Sequence, residues 1–349
     1  MESKEIIDER EHDLIIIGSG PVGLAAAIEA KGYGLKALIL EKGVTVNSVF
    51  KFPVFMRFFT SADLLEIGNH PFPSTDNKPT RQQTLDYYRG VIKNEKLALH
   101  LHSEVQAIEG EKGNFKVKGL KKHRGEEIPF EYEAKYVIVA TGYFDTPKGL
   151  GGVPGEKGEN GENVSCYYSG DPHEFYDQEV VIIGGGNSGC ETALELYRYG
   201  AKVTLIHKYE DVNDAVKYWV KPDIKNRIKE KKIDALMPAE VKKITMKGVE
   251  VECNNELHFI PADYVLILTG YLPDIQLLKK WEITLDSDSF QVLLTEHFES
   301  QREGVFVIGS AGAGKATNKV FIENGKEHAK IAASKIAKEL IVSKSITSK

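Results

Sequence analysis

Two glycine-rich segments of this chain share one pattern, and the pattern continues beyond the glycines. Each reads Gly-x-Gly-x-x-Gly directly after an apolar run, and later residues of the two copies match in the same register. The matched pairs are 18–23 with 184–189, Ala27 with Ala193, Gly34 with Gly200, and the apolar stretch 37–40 with 203–206. Glycines at this spacing between a strand and a helix are typical of a βαβ unit that binds a dinucleotide. The repeat therefore predicts two such units in one chain.

The three glycines of each copy have different physical roles. The first permits a tight strand-to-helix turn, the second lets the backbone approach a pyrophosphate, and the third lets helix and strand pack closely. The anion then lies at the helix N-terminus. One such motif alone is compatible with an ordinary glycine-rich turn, but two copies in one register favour two bound dinucleotides. The contacts predicted on this basis are Gly18, Ser19, Gly20, Pro21, Val22 and Gly23 in the first copy and Gly184, Gly186, Asn187 and Ser188 in the second.

One position distinguishes the two copies chemically. At the end of the second strand of each unit, the first copy has Glu41 and the second has His207 followed by Lys208. A carboxylate at this place accepts hydrogen bonds from a ribose diol, whereas a basic pair suits a 2′-phosphate. The second dinucleotide is therefore predicted to be NADPH, with Lys208 and His207 at its phosphate. A purely structural role is the alternative for His207.

The composition is that of an ordinary globular protein, and it argues against several classes of function. A net charge of −6 without a basic stripe does not favour nucleic-acid binding. No apolar stretch approaches the roughly 20 residues that span a bilayer, and the N-terminus has no signal-peptide pattern. Cys166, Cys190 and Cys253 are too widely spaced for a zinc motif or a disulfide framework. A cytosolic protein without a metal site is expected.

Strands and helices alternate at both glycine-rich segments, which predicts an α/β fold with two Rossmann-like domains. A last strand and glycine turn at 304–312 follow the second copy, so the second domain is expected to be inserted into the first. The predicted limits are 1–155 and 288–349 for the first domain and 156–287 for the second. Helices are predicted over 82–94 and 322–340. The aromatic segment 50–73 has no counterpart in the second copy and is expected to cover the first cofactor.

The chain resembles the flavoproteins with two dinucleotide-binding domains, in which the first motif holds FAD and the second holds NAD(P)H. The paired motifs, Ala140-Thr141-Gly142 and the C-terminal turn at 309–312 carry this resemblance, which covers nearly the whole chain. Four stretches narrow it to the thioredoxin-reductase-like bacillithiol-disulfide reductases of the YpdA type. They are Phe58–Asp63, Lys78–Arg81, Ala140–Tyr143 and Asn318–Gly325.

The resemblance implies FAD and NADPH as cofactors, and it implies further contacts at matching positions. For FAD, these are Glu41, Lys42, Ser61, Val105, Thr141, Gly142, Gly309, Ser310, Val320 and Phe321. For NADPH, they are Glu191, His207, Lys208, Thr269 and Gly270.

Three departures from related families bear on the chemistry. Thioredoxin reductases have a Cys-x-x-Cys before the second motif, but here that region holds only Cys166, which is the one candidate for a catalytic thiol. Because Cys166 has no local partner, an inert packed cysteine is the favoured interpretation. The usual Gly-Asp of the C-terminal turn is Gly309-Ser310, so the flavin ribityl contact must be weaker or made otherwise. Some bacillithiol-disulfide reductases have a cysteine where this chain has Val22, and a mechanism that uses that thiol cannot apply.

The function implied by the resemblance is that of an NADPH-dependent flavin oxidoreductase of redox homeostasis. NADPH would reduce the flavin, which would then reduce a low-molecular-weight disulfide, with bacillithiol disulfide the first candidate. The chain has no exchange pair of cysteines to relay electrons to a protein disulfide. A homo-oligomer is expected. Three alternatives remain open: a flavin-dependent monooxygenase, a ferredoxin- or flavodoxin-NADP reductase, and a non-enzymatic redox-sensing flavoprotein.

Overall fold

The structure is a computed structural model of the 349-residue chain and describes residues 10–159, 161 and 163–347. The chain forms two compact units. Of the described residues, those in 10–50, 60–146 and 272–347 form the first unit, and those in 51–59 and 147–271 form the second.

The strands and helices have the following bounds. The strands are β1 (Glu11–Ile17), β2 (Ala37–Leu40), β3 (Leu99–His100), β4 (Ser103–Glu111), β5 (Asn114–His123), β6 (Glu126–Val139), β7 (Thr146–Pro147), β8 (Val164–Ser165), β9 (Glu179–Ile183), β10 (Lys202–Ile206), β11 (Asp234–Leu236), β12 (Ala239–Thr245), β13 (Gly248–Cys253), β14 (Glu256–Pro261), β15 (Tyr264–Ile267), β16 (Tyr271–Leu272) and β17 (Val305–Val307). The helices are α1 (Pro21–Gly32), α2 (Asn47–Phe50), α3 (Arg81–Glu95), α4 (Asn187–Arg198), α5 (Val220–Lys229), α6 (Ile275–Lys280) and α7 (Ile322–Thr347), with 3₁₀ turns at Asp63–Leu65, Pro172–Phe175 and Gly309–Gly312.

The main sheet of the first unit has the strand order β3-β2-β1-β6-β5-β4, and β17 also pairs with β6. Strands β1, β2, β3 and β17 and the second half of β6 form the parallel part, whereas β4, β5 and the first half of β6 form an antiparallel meander. Alternate residues of β1 face opposite sides of the sheet. Ile15 and Ile17 enter a core with Phe115 of the meander and Trp281. Because β1 pairs in parallel with both β2 and β6, the C-terminal ends of these three strands lie next to one another at one edge of the sheet.

The second unit contains a parallel sheet of order β11-β10-β9-β15-β8 and a separate antiparallel sheet, β12-β13-β14. The apolar strand β9 supplies both faces of the parallel sheet. Val180 and Ile182 enter a core with residues of α4 and α5, while Val181 and Ile183 enter a core with residues of β12 and β13. A parallel strand buried on both faces is expected to be continuously apolar, as this one is.

The predicted α/β fold with two Rossmann-like units is confirmed. The predicted helices are present as α3 and α7, and α7 runs to Thr347, beyond the predicted end at Leu340. The predicted domain limits, 155/156 and 287/288, stay a prediction. Residues Leu150 and Val153 pack on a core of the second compact unit, and Leu278 and Trp281 are buried in the core of the first. The compact units change over at 50/51, 59/60, 146/147 and 271/272.

Candidate functional site

The first glycine motif lies in the turn between β1 and α1. Gly18 has φ +108°, and a Cβ on it would lie 2.5 Å from the Ala140 carbonyl oxygen; a Cβ on Gly23 would lie 2.1 Å from the Gly18 carbonyl oxygen. These two glycines are therefore required by the packing of the turn. At Gly20, by contrast, a Cβ would meet no described atom within 4 Å. The space in front of Gly20 is open to a ligand.

The second motif repeats this geometry between β9 and α4. Gly184 has φ +128°, and a Cβ added to it would lie 2.4 Å from the Leu268 carbonyl oxygen. A Cβ added to Gly189 would lie 1.8 Å from the Gly184 carbonyl oxygen. At Gly186, the nearest atom would be Asn213 Nδ2 at an ordinary contact distance of 3.6 Å. The open position is again the second glycine of the pattern.

Both motif helices begin without a side-chain cap, which leaves their first N–H groups for another acceptor. Gly20 and Gly186 are the N-cap residues of α1 and α4, and within the described chain no side chain caps either of them. In α3, by comparison, Thr80 and Gln83 form a capping box, and Asp274 caps α6. Free N–H groups and the helix dipole favour an anion at these two N-termini. The two starts therefore fit the pyrophosphates of two dinucleotides.

Glu41 is buried at the end of β2, beside the first motif. Its Oε2 accepts the Ser19 N–H at 2.8 Å and the Ser19 hydroxyl at 3.0 Å, and its Oε1 accepts the Gly43 N–H at 2.8 Å. A carboxylate has about four acceptor sites, so acceptor capacity remains for a ribose hydroxyl. Lys42 points elsewhere in the same unit, where it pairs with Asp145 at 2.8 Å.

His207 has the same place in the second unit that Glu41 has in the first. Its Nδ1 accepts the Gly185 N–H at 3.0 Å. Burial lowers the pKa of His207, so the ring is neutral, and because Nδ1 is an acceptor the proton is on Nε2. That Nε2 is buried and makes no hydrogen bond of good geometry among the described residues, although the Asn213 side chain lies close enough to oppose part of the effect of burial on the pKa of the ring. A donor left unsatisfied by the protein fits an oxygen atom of a bound nucleotide.

Lys208 is exposed, and its Nζ lies 4.8 Å from the centre of the Tyr209 ring. In the described part of the chain, no carboxylate pairs with it. His207 therefore offers a neutral N–H donor, and Lys208 offers an exposed cation. The sequence alone suggests a pair in which both side chains are positively charged. Their contact with a 2′-phosphate stays a prediction.

The other residues predicted to contact FAD lie in the first unit, in different surroundings. Gly142 has φ +73° at the end of β6, and the hydroxyl oxygen of Ser310 would be 3.8 Å from a Cβ there. The Val22 side chain fills the space between Gly309 and Gly325. A Cβ added to Gly309 would lie 3.2 Å from it, and a Cβ added to Gly325 would lie 2.8 Å from it. The Val105 side chain is buried in the apolar core, so any cofactor contact must come from its backbone.

Four other residues predicted to contact FAD are at least partly exposed to solvent. Thr141, Ser61 and Val320 are half-buried and Phe321 is exposed. The Phe321 N–H donates to Asn324 Oδ1 at 2.8 Å, just before α7 begins. The structure brings Thr141, Gly142 and Ser310 together, whereas the roles of the other positions stay predictions.

The residues predicted to contact NADPH lie in the second unit. Ser188 is exposed in the first turn of α4, and Thr269 donates its hydroxyl to the Gly149 carbonyl oxygen at 2.9 Å. Asn187 does not cap α4 but binds the loop that follows Lys208: its Nδ2 donates to the Ala215 carbonyl oxygen at 3.0 Å, and its Oδ1 accepts the Lys217 N–H at 2.8 Å.

Two lysines near this site are not among the residues predicted from the sequence. Lys217 is buried and pairs with Glu191 at 2.5 Å, and the Lys148 side chain lies over Gly270. Both belong to loops without a recognisable motif, so nothing local in the sequence marks them.

The cysteines are free thiols in the second unit. Burial, with a smaller effect of Glu156, raises the pKa of Cys166, and burial raises that of Cys190 to about 12. A thiol with a raised pKa is a poor nucleophile at neutral pH because little of it is thiolate. These environments favour packed, inert cysteines at both positions.

The aromatic segment 50–73 does not stay with the first unit over its whole length. Residues 51–59 belong to the second unit, where Phe55 stacks on Tyr199 at 6.0 Å and Phe59 stacks on Trp219 at 5.6 Å. The expectation that the whole segment covers the first cofactor stays a prediction, and for these residues the observed ring contacts are within the second unit. Flat aromatic pairs of this kind stabilise a contact between segments that are distant in sequence.

None of the described helices combines the length and apolar character that crossing a membrane requires. The described side chains also contain no group of three or more histidine, cysteine or acidic residues arranged to hold a metal ion.

Comparison with known proteins gives consistent matches over nearly the whole chain. Residues 15–309 match the family model described as pyridine nucleotide-disulphide oxidoreductase. The chain is 37% identical to bacilliredoxin reductase Bdr of Bacillus subtilis over 93% of its length and 97% of that protein. It is similar to the solved structure of bacillithiol disulfide reductase Bdr (YpdA) from Bacillus cereus, with TM-score 0.89, 34% identity and coverage of 94% and 99%. The enzyme of the same name from Staphylococcus aureus gives TM-score 0.87 and 35% identity, with coverage of 95% and 99%.

Proposed function

The chain belongs to the pyridine nucleotide-disulphide oxidoreductase family, and from this premise we propose that it is an NADPH-dependent FAD enzyme that reduces bacillithiol disulfide. The observation that carries the proposal is the match, over more than nine-tenths of both chains, to two structures titled bacillithiol disulfide reductase. Relatives of this kind are flavoprotein disulfide reductases that depend on FAD and NADPH.

In this proposal, the first unit binds FAD and the second binds NADPH. Gly20 and the uncapped start of α1 hold the FAD pyrophosphate, and Glu41 accepts a hydroxyl of its adenosine ribose. Gly186 and the start of α4 hold the NADPH pyrophosphate. His207 Nε2 and Lys208 donate to its 2′-phosphate, a use that fits the unsatisfied buried donor of His207.

When bound, the flavin and the nicotinamide supply the two-electron chemistry that connects NADPH with a disulfide. The overall reaction converts NADPH, one proton and one disulfide into NADP⁺ and two thiols, so the two electrons break the S–S bond and each sulfur ends as a thiol. The protein contributes binding and orientation. No protein thiol is needed as a relay, which agrees with the raised pKa values of Cys166 and Cys190.

The test is NADPH oxidation under anaerobic conditions with separate disulfide acceptors. We expect turnover with bacillithiol disulfide and background rates with thioredoxin or glutathione disulfide. Oxidised bacilliredoxin is included as a further acceptor, because one relative is named for it. Turnover with bacilliredoxin but not with free bacillithiol disulfide would refute the small-disulfide proposal. Oxygen-dependent hydroxylation, or reduction of ferredoxin or flavodoxin alone, would favour the monooxygenase or NADP-reductase alternative.

The cofactor is tested separately by denaturing the purified protein. Release of FAD is expected, because Glu41 and the first motif suit an adenosine ribose and a pyrophosphate; release of FMN would contradict the role of the first unit. A homo-oligomer in the cytosol is also part of the proposal. Free cysteines suit a reducing compartment, and light scattering on the purified protein tests the oligomer.

A further inference from the structure

Lys217 is a buried lysine beside the second glycine motif. Its side chain is 7% exposed, and its Nζ lies 2.5 Å from Glu191 Oε1 and 3.0 Å from the Arg57 carbonyl oxygen. Glu191 lies on α4, in the turn that follows Asn187, and its side chain is 26% exposed. Removing an ammonium from water costs free energy unless it is paired and hydrogen-bonded. The protein supplies both a charge partner and a carbonyl acceptor here.

The backbone around Lys217 is tied to the same motif. The Lys217 N–H donates to Asn187 Oδ1 at 2.8 Å, Ala215 accepts from Asn187 Nδ2, and the Asn213 N–H donates to the Gly185 carbonyl oxygen at 2.9 Å. The loop that begins with Lys208 is thus held against the start of α4 at three points. The ammonium of Lys217 adds a fourth attachment, one turn further along the helix.

The ion pair also gives the two carboxyl groups on this face of α4 different surroundings. Glu191 and Glu195 are four residues apart and therefore adjacent on the helix. Burial raises the pKa of Glu191, and the ammonium of Lys217 opposes part of that effect. Burial and then the charge of Glu191 raise the pKa of Glu195 to about 7. The other titratable or charged groups that act on these two carboxyls or on the neighbouring thiol of Cys190 are Tyr168, Asp171, Arg198, Asp211 and Lys221.

We propose that Lys217 is a positioning residue of the NADPH site: it compensates the charge of Glu191 and fixes the loop that carries Lys208 against the motif helix. This inference rests on the proposed binding of NADPH to the second unit. Without the ammonium, the Glu191 carboxylate, whose side chain is 26% exposed, is an uncompensated negative charge close to a ligand that is itself a polyanion. NADPH binding should then weaken through Glu191 and not through a general loss of structure.

The experiment is a double-mutant cycle on NADPH affinity, measured with the FAD-loaded full-length protein. Lys217→Met should weaken NADPH binding by about tenfold or more at pH 8, the equivalent of at least one pKa unit of charge interaction. In a Glu191→Gln background the same substitution should change affinity less than about threefold. Equal losses in both backgrounds would overturn the inference, since they would mean that Lys217 acts by packing alone.

The pH dependence gives a second readout. Relative to wild type at each pH, the loss in Lys217→Met should shrink between pH 8 and pH 6, because protonation of Glu191 removes the uncompensated charge. A loss that is the same at both pH values would contradict a role through this carboxylate. Comparison with wild type cancels the titration of the nucleotide phosphate itself.

Two further variants separate charge from folding. Lys217→Arg keeps the cation and should stay within about threefold of wild type, and a loss equal to that of Lys217→Met would overturn the inference. Lys202→Met removes a lysine from the exposed Lys202–Asp177 pair, outside this loop, and should leave NADPH affinity unchanged within about twofold. Wild-type protein that fails to bind NADPH would refute the proposed function, whereas tight binding by both wild type and Lys217→Met would refute only this inference.

Discussion

Replacing Gly186 with alanine should weaken NADPH binding while leaving the fold intact. Gly186 has φ −89° and ψ −172°, which any residue adopts, and the added methyl would meet its nearest protein atom at 3.6 Å. Alanine is a poorer N-cap than glycine but loses less backbone entropy on folding. These effects oppose each other, so the free energy of unfolding should change by less than about 1 kcal/mol.

The effect on binding should be larger, because the methyl points into the space that the protein leaves open. A phosphate oxygen hydrogen-bonded to the start of α4 would lie about 2.9 Å from the donor nitrogen, and a methyl in front of the glycine forces it outward. The loss of one hydrogen bond to a charged group costs about 1.5–3 kcal/mol. NADPH and NADH should therefore both bind about tenfold to a hundredfold more weakly.

Titration of each nucleotide against the FAD-loaded protein, with flavin content as a check on folding, measures this effect. Gly90→Ala is the matched control: a Cβ at this position inside α3 meets no described atom within 4 Å, so it should not change affinity. Gly20→Ala should weaken FAD instead. Unchanged NADPH binding in Gly186→Ala would refute the placement of the pyrophosphate at the second motif.

Three other changes test separate parts of the structure. Lys208→Ala should weaken NADPH about tenfold to a hundredfold through the lost phosphate contact and leave NADH nearly unchanged; equal losses for both would make Lys208 structural. A variant without Cys166, Cys190 and Cys253 should still be bleached by NADPH in the absence of oxygen, and selective loss of disulfide turnover in Cys166→Ser would contradict direct reduction by the flavin. Burial alone would raise the pKa of Glu339, but hydrogen bonds from Lys112, Tyr136 and Lys335 lower it from 4.5 to about 2. The stability it contributes is therefore present above pH 4.5 and lost as the pH falls towards 2, so chemical unfolding of Glu339→Gln should show a deficit of at most about 3 kcal/mol at pH 7 that disappears near pH 2.

The sequence could predict both motif turns because their determinants are local. A buried apolar strand, a glycine with positive φ and a helix that follows at once are all specified within about ten residues. The structure places Gly18, Gly23, Gly184 and Gly189 where an added Cβ would collide with backbone.

What the sequence could not predict depends on contacts between distant segments. Nothing in the sequence distinguishes Lys217 from other loop lysines, yet the fold brings it to Glu191. The sequence likewise does not predict that Phe55 and Phe59 stack on Tyr199 and Trp219. Neither contact has a periodicity or a motif. The same limit applies to His207. The sequence suggests a basic side chain, but burial lowers the pKa of the ring, which is therefore neutral.

The two units solve the same structural problem with different electrostatics. In each unit, the side chain at the end of the second strand accepts the backbone N–H of the second residue of the glycine motif. That residue is Ser19 in the first unit and Gly185 in the second. Glu41 does so with a carboxylate, which would repel a 2′-phosphate but accepts a ribose hydroxyl. His207 does so with Nδ1 of a neutral ring, which keeps the same backbone bond, removes the negative charge and leaves Nε2–H free to donate. Once the carboxylate is replaced, an adjacent flexible cation such as Lys208 is sufficient to attract a phosphate. In the proposed function, selection between the two dinucleotides would thus follow from a substitution that preserves the turn and changes the charge beside the ribose.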